Sequence, residues 1–469
     1  MAPGGLAAPA TADGGASLAK ARLLILGMGV GGSSAARAAR DIGASCVTVD
    51  AAPSTAADAA DIAELDLTAF DAVVASAIFS PHSREIEAVR AAGLPVWSEM
   101  EFAWRVRTTD APWVLITGTN GKTTTTQMTG AILNAGGIDA KACGNMGIPV
   151  IDAARAGHEA LAVEIASLQL HFTHSITPHA AVCLNADSDH LDWHGSVEAY
   201  RADKARVYQG VRGACVYPAH DRVVEKMVED ADVTDGARAV GVTLGSPAVS
   251  QLGVVDGLLL DRAFTDARHT EAIELGHVDD LAHLVSGDVP PYLVGNALSA
   301  AALARSVGVA PDAVSAGLRG FSLDHHRTAV VRELDGVTYV DDSKGTNAHA
   351  TRAAFGGRAP RSVVWIAGGQ AKDQDFSALV RAIAPRLRAV VLIGIDPEPL
   401  SRPLAEHAVD IPVTRIGPGD TVMAQAVAAA RSLALPGDTV LLSPACASFD
   451  QFESYAHRGE AFAAAVMAM

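Results

Sequence analysis

Short apolar runs alternate with longer amphipathic stretches along most of the chain, a pattern that predicts parallel strands joined by helices. Residues 22–26 form the first apolar run, an alanine-rich helix over 33–42 follows, and 46–50 is the next strand. A strand at 71–76, a short helix at 86–92 and a strand at 95–97 carry the series to a turn-rich linker ending near Asp110. The alternation restarts with a strand at 113–117, a helix over 125–133, a strand around Ala142, and strands at 161–165 and 180–185. Ser196 opens a helix that carries Tyr200 to Arg206, whereas 221–290 gives only short, mixed strand signals and no legible chemistry. Asn296 has the character of an N-cap for an alanine-rich helix over 297–307. The third series has strands at 337–341, 363–367, 389–393 and 439–443, with helices at 376–383 and 421–433 among them.

That order predicts an α/β protein with three domains: an N-terminal Rossmann-like domain at 19–110, a central P-loop-type ATPase domain with a mostly parallel sheet at 111–324, and a C-terminal Rossmann-like domain at 325–469. Residues 1–18, rich in Ala, Gly, Pro and Thr, are expected to be a disordered tail. At 49% hydrophobic and 19% charged residues the composition is that of an ordinary globular protein, and no apolar run reaches membrane-spanning length. The net charge of −17 argues against sequence-independent nucleic-acid binding. Five scattered cysteines, without metal-ligand spacing, point to reduced thiols and a cytoplasmic protein.

The most specific chemistry lies in Thr117-Gly118-Thr119-Asn120-Gly121-Lys122-Thr123-Thr124. A strand feeds a glycine turn and a helix follows, so backbone N–H groups and the helix N-terminus face an incoming polyphosphate. Lys122 would neutralise the outer phosphates and Thr123 would hold Mg²⁺, which makes ATP the expected ligand. The loop is not the standard form, because Ile116 stands where a glycine is required. Gly27-Met28-Gly29-Val30-Gly31-Gly32, with Asp50 ending the following strand, is a dinucleotide-type fingerprint, so an NAD-dependent dehydrogenase is the alternative from this region. Glu164 and His190 sit at the ends of adjacent predicted strands beside the ATP loop and are candidate metal ligands. Lys204 lies in a charged helical stretch whose spacing suggests a solvent face. Asp342-Ser343-Lys344-Gly345-Thr346-Asn347 suits phosphate or carboxylate binding, or an Asx-type turn, and Cys446 is expected to be a small buried thiol.

Taken together, the phosphate loop, Glu164 with Ser167-Leu168-Gln169-Leu170, Asp189-His190-Leu191-Asp192, Lys204, His326-Arg327, the 342–347 block, Gly368-Gly369 with Lys372, and Ser443-Pro444-Ala445-Cys446-Ala447-Ser448 resemble the Mur ligase family over nearly the whole chain. Folylpolyglutamate synthetases share the loop form but lack an N-terminal nucleotide domain. The 443–448 block points within the family to the branch whose substrates are UDP-N-acetylmuramoyl-L-alanine and D-glutamate. The resemblance implies an ATP-dependent ligase that forms an acyl phosphate, uses Mg²⁺ as two ions, and acts as a monomer. It implies ATP contacts from Gly118 to Thr124, Asn296, Arg327 and Asp342, and substrate UDP contacts from Gly29, Val30, Gly31, Asp50 and Asn145. Thr123 and Glu164 would ligate one ion, and His190 with a CO₂-derived carbamate on Lys204 the other. Lys122, His190, Lys204 and Lys344 would be catalytic, while Thr346, Lys372, Ser448, Phe449 and Tyr455 would join Lys344 at D-glutamate. The chain departs from the family at Ser299, where a second asparagine is usual, and at 75–81, where no Ser-Pro-Gly follows the strand.

Overall fold

The computed structural model describes residues 11–52, 56–145, 147–285, 288–322, 326, 328–371 and 374–469, with His349 described only in its backbone. The chain separates into two compact units, one reaching through Asp280 and including Leu293–Phe321, the other formed by Leu281–Tyr292 and Ser322–Met469.

The first unit contains two sheets. Strands β1 (Arg22–Leu26), β2 (Ser45–Val49), β3 (Ala72–Ala75) and β4 (Val96–Ser98) form a parallel sheet in the order β2-β1-β3-β4. The larger sheet comprises β5 (Trp113–Thr117), β6 (Ala140–Gly144), β7 (Ala160–Glu164), β8 (Ala180–Cys183), β9 (Ala214–Pro218), β10 (Arg238–Val242), β11 (Gln251–Val255), β12 (Leu258–Asp261) and β13 (Ile273–His277). Its order is β13-β12-β11-β10-β9-β8-β5-β7-β6, parallel except for the antiparallel pairings of β12. Central strands such as β5, buried at every position, are continuous apolar runs, as strands covered on both faces must be. Leu23 and Ile25 of the first sheet share a buried cluster with Trp97, Phe102, Trp104, Trp113 and Ile151, so the two sheets are held by one core. Glu101 lies inside this joint: it accepts from Arg105 Nε at 2.8 Å and from the backbone N–H groups of His174 and Ser175, each at 2.9 Å.

The second unit is built on β14 (Ala329–Leu334), β15 (Val337–Asp341), β16 (Val363–Gly368), β17 (Leu387–Ile393), β18 (Val413–Arg415) and β19 (Thr439–Leu442), ordered β14-β15-β19-β16-β17-β18. Only the β14–β15 hairpin is antiparallel. Its two faces carry separate cores, one around Trp365 and Phe376 and one around Tyr339, Ile366 and Phe462.

The structure corrects several expectations. Residues 11–18 are not a free tail: Asp13 accepts from Gly15 and Ser17 N–H groups, a 3₁₀ turn forms at Ala16–Leu18, and Leu18 is buried in the core. Residues 1–10 lie outside those described. Asn296 does not cap a helix, because the helix already starts at Pro291, a residue whose fixed φ and missing N–H suit a first helical position. The short strand signals within 221–290 are strands β10 to β13 of the large sheet, preceded by a helix at Arg222–Glu229. The first-domain helix begins at Val30, immediately after Gly29, three residues earlier than its alanine pattern suggested.

Candidate functional site

Parallel register sets the site. β5 lies between β7 and β8, with Ile116 opposite Glu164 and Thr117 opposite Cys183, so three strand ends and their loops emerge side by side. The phosphate loop leaves β5 with Gly118 at φ 154° and Gly121 at φ 84°, backbone angles that favour glycine. A Cβ on Gly121 would stand 2.7 Å from Asn296 Oδ1, which places that buried asparagine directly against the loop. Helix Lys122–Ala135 then begins, and the N–H groups of its first turn have no carbonyl within the helix to bond. Lys122 Nζ donates to the Gly118 and Thr119 carbonyls at 2.8 and 3.0 Å, arching over the turn.

Sequence reasoning missed the residues that hold this loop. Asn185, just past β8, accepts from Thr119 N–H at 2.8 Å and Asn120 N–H at 2.9 Å, and its amide donates back to the Asn120 carbonyl at 3.2 Å. Tyr200 meets Thr119 Oγ1 at 2.7 Å. One helical turn after Tyr200 stands Lys204, with Nζ 4.9 Å from the centre of the Tyr200 ring. Lys204 is 1% exposed, which overturns the solvent-face reading of its helix. Burial first, then the neighbouring charge of Lys122, pulls its ammonium from an ordinary 10.5 to about 7. Asp203, beside it, is bonded at 2.9 Å by both His171 and His194, and the other ring nitrogen of His194 lies 3.0 Å from Ser167 Oγ.

The candidate metal ligands are distributed around the loop. Thr123 is buried in the first helical turn and Glu164 is buried at the end of β7. Glu164 Oε1 accepts from Asn145 Nδ2 at 3.3 Å. His190, at φ 51°, precedes the short helix Leu191–His194, and partial burial, ahead of the Lys122 charge, holds its imidazole below the ordinary range. Among the described residues no three His, Cys, Asp or Glu side chains form a ready-made metal cage. Mg²⁺ does not require one, since it is commonly held by one or two carboxylates together with phosphate oxygens and water. A carboxylate and a hydroxyl beside a phosphate loop fit that donor set.

Val30, Gly31 and Asn145 line one cavity of about 210 Å³, with Glu99, Gly144 and Ile151. Gly29 is the N-cap of helix Val30–Asp41. The Asp50 carboxylate accepts from Met28 N–H at 2.6 Å and Ala52 N–H at 2.8 Å, bracing the glycine turn. A Cβ on Gly31 would come 2.1 Å from Glu99 Oε2, so a carboxylate rather than open space faces the second half of that turn.

In the second unit, parallel β15 and β19 place the 342–347 and 443–449 blocks together, and Ala445 N–H donates to the Gly345 carbonyl at 2.8 Å. Lys344 Nζ lies 5.7 Å from the Tyr455 ring centre, Ser448 is buried, and Phe449 is exposed. Thr346 is half-buried in the same turn, its N–H bonded to the Lys344 carbonyl at 2.9 Å. Asp342 is 5% exposed and accepts from Ser443 Oγ at 2.6 Å and Thr328 N–H at 3.2 Å. Arg458, unnoticed in the sequence, is fully buried and ties Ser343 to the Cys446 carbonyl. Cys446 is buried and its thiol is pushed up to about 12, an inert state. Arg327 and Lys372 lie outside the described residues.

Comparison with known proteins covers both units. Residues 116–303 match the Mur ligase middle domain and residues 326–446 the Mur ligase glutamate ligase domain. A UDP-N-acetylmuramoylalanine--D-glutamate ligase from Streptomyces avermitilis is 47% identical over 94% of this chain and 97% of its own length. One of the same name from Nocardia farcinica is 43% identical over 95% of this chain and 96% of its own. In fold, the chain is similar to the UDP-N-acetylmuramate-alanine ligase of Thermotoga maritima, with a TM-score of 0.57 at 15% identity, covering 96% of this chain and 99% of that one.

Proposed function

Because the chain belongs to the Mur ligase family, we propose that it joins D-glutamate to UDP-N-acetylmuramoyl-L-alanine, cleaving ATP to ADP and phosphate, in peptidoglycan precursor synthesis. The observation that carries this reading is that the likeness to relatives of that name extends over 94% of the chain and does not stop at the ATP-binding middle. Residues 19–110 would bind the UDP moiety, 111–324 ATP, and 325–469 the amino acid, as three domains of which the outer two are Rossmann-like. The protein would act as a cytoplasmic monomer.

A carboxylate resists attack by an amine because its charge is delocalised, and phosphorylation gives it a leaving group. The first-turn N–H groups of helix Lys122–Ala135 bind the phosphates, and Lys122 moves from the loop carbonyls onto the transferring group. Thr123 and Glu164 would hold one Mg²⁺ and His190 with Lys204 a second, ions that supply charge compensation at the phosphoryl oxygens. Lys204 fits the carbamate role, because an amine with a pKa of about 7 is substantially neutral, and therefore nucleophilic towards CO₂, at physiological pH. Lys344, Thr346, Lys372, Ser448, Phe449 and Tyr455 would orient D-glutamate so that its amine reaches the acyl phosphate. Asn296, already against Gly121, and Asp342 with Arg327 would complete the nucleotide contacts.

The test is phosphate release from MgATP with UDP-N-acetylmuramoyl-L-alanine, comparing D-glutamate with L-glutamate, L-lysine and no amino acid. Turnover with D-glutamate alone is expected. Turnover only with another amine would assign a different family activity, and no turnover in folded, ATP-binding protein would remove the ligase reading.

A further inference from the structure

Three of the side chains assigned above to metal ions stand on separate pieces of chain: Glu164 ends β7, His190 precedes helix Leu191–His194, and Lys204 lies in helix Val197–Ala205. The middle piece cannot hold its own shape. A helix of four residues is far below the length that is stable in water by itself, and this one is entered through His190 at φ 51° and left through Gly195 at φ 81°. A non-glycine residue adopts the left-handed region at a cost, so contacts from elsewhere must fix the His190 backbone. Two side chains of the short helix supply them. Trp193 Nε1 donates to the Ala77 carbonyl at 3.0 Å, just past the end of β3. His194, whose side chain is fully buried, is engaged at both ring nitrogens: Nδ1 lies 2.9 Å from Asp203 Oδ2 and Nε2 lies 3.0 Å from Ser167 Oγ. Asp203 is the residue before Lys204, and Ser167 opens the next helix three residues after Glu164. One imidazole therefore ties together the three pieces of chain that carry the three side chains. An ionised Asp203 only accepts, which puts the proton of a neutral ring on Nδ1 and leaves Nε2 to accept from the Ser167 hydroxyl. The same ring packs edge-on against Tyr200, with centres 5.3 Å apart, and the Tyr200 hydroxyl meets Thr119 of the phosphate loop.

We propose that His194 is a positioning residue for the metal centre: touching neither substrate nor ion, it fixes the spacing of Glu164, His190 and Lys204 by bridging Ser167 to Asp203. This inference rests on the ligase reading and its metal assignments. The ion assigned to His190 and Lys204 has both of its protein residues on pieces tied by this ring, so it depends on His194 most. His171 offers an internal comparison. It bonds the same Asp203 at 2.9 Å, yet its side chain is 25% exposed and its other ring nitrogen faces Arg90 at 3.5 Å rather than Ser167.

Mn²⁺ titration followed by electron paramagnetic resonance tests this without turnover, in bicarbonate buffer with the β,γ-imido analogue of ATP and protein in excess over nucleotide. Two bound Mn²⁺ are expected on the unmodified chain. His194→Gln reaches only one of the two partners, and should weaken one Mn²⁺ about tenfold to a hundredfold while metal-free analogue affinity stays within about twofold. Ser167→Ala deletes a single hydroxyl and should weaken the same ion by a smaller factor, which keeps the test open if His194→Gln does not fold. His171→Gln should lower the thermal midpoint and leave both Mn²⁺ affinities in place. The proposal is overturned if the affinities survive both His194→Gln and Ser167→Ala, or if His171→Gln loses as much as His194→Gln, which would make the network a brace of the fold alone. Fewer than two ions on the unmodified chain overturns it as well. If the unmodified chain releases phosphate with D-glutamate but its ions are indifferent to His194, this inference falls and the ligase reading stands; if it neither turns over nor binds the ions, both fall.

Discussion

Lys204 and Glu101 are both buried charges, and they act on stability in opposite directions. Burial lowers the Lys204 pKa to about 7, so between that value and 10.5 the unfolded chain binds the proton that the folded chain has lost. Stability therefore rises with pH across this window, and the cost of burying the ammonium is fully present below about pH 7. In CO₂-free buffer, Lys204→Met should raise the thermal midpoint at pH 6 and lose that gain above pH 10.5, while phosphate release falls by orders of magnitude. A midpoint that drops at pH 6 would show that the ammonium is paired rather than desolvated. Burial opposes ionisation of Glu101 too, but Arg105 and the Ser175 and His174 donors outweigh it and hold the carboxyl below its ordinary 4.5. That stability is present above pH 4.5 and is lost as pH falls through the folded value. Glu101→Ala removes the buried carboxylate on which Arg105 and the Ser175 and His174 donors converge, and should cost roughly 3–5 kcal/mol in urea unfolding at pH 7 without changing ATP affinity. Neither environment was legible from spacing. Tyr200-Arg201-Ala202-Asp203-Lys204 has the polar pattern of a solvent face, and only packing shows that Lys204 points inward.

At the scale of elements, most strands were legible because a strand buried on both faces is a run of apolar residues. The hairpins were legible in principle and missed in practice. Asp256-Gly257 and Asp335-Gly336 both adopt positive φ, at 51° and 84° and at 54° and 75°, the two-residue turn that Asp-Gly between apolar runs signals. The brace of the phosphate loop was not legible, since Asn185 acts through hydrogen bonds to a segment more than sixty residues away, its nearest partner here being 65 positions distant. That brace gives a prediction. Asn185→Ala removes three hydrogen bonds between the end of β8 and the loop, worth about 1 kcal/mol each, so ATP affinity should fall roughly tenfold to a hundredfold with the sheet intact. Titration with a fluorescent ATP analogue measures this, and unchanged affinity would mean that the loop holds its shape through its other contacts, among them those of Tyr200 and the Asp187 carbonyl with Thr119 and of Lys122 with the loop carbonyls.

For the whole molecule, the organising fact is that the sheets at 22–98 and 113–277 share one hydrophobic cluster while the sheet at 329–442 has cores of its own. Sequence periodicity separates the three sheets equally well, because it records where alternation restarts; it does not record which apolar faces meet. Units with separate cores exchange little stabilisation, so calorimetric unfolding should resolve two transitions rather than one. Residues proposed for ATP and the UDP moiety fall in the first unit apart from Arg327 and Asp342, and those proposed for D-glutamate fall in the second. A ligand bound only to a folded unit stabilises that unit by about 2.7 kcal/mol at a hundredfold excess over its Kd, a shift of several degrees. With most of its proposed contacts in the first unit, an ATP analogue should therefore raise that unit's transition more than the other's. Adding D-glutamate should raise the second unit's transition, because the residues proposed for it lie there. A second transition that D-glutamate leaves in place would count against those residues as its site.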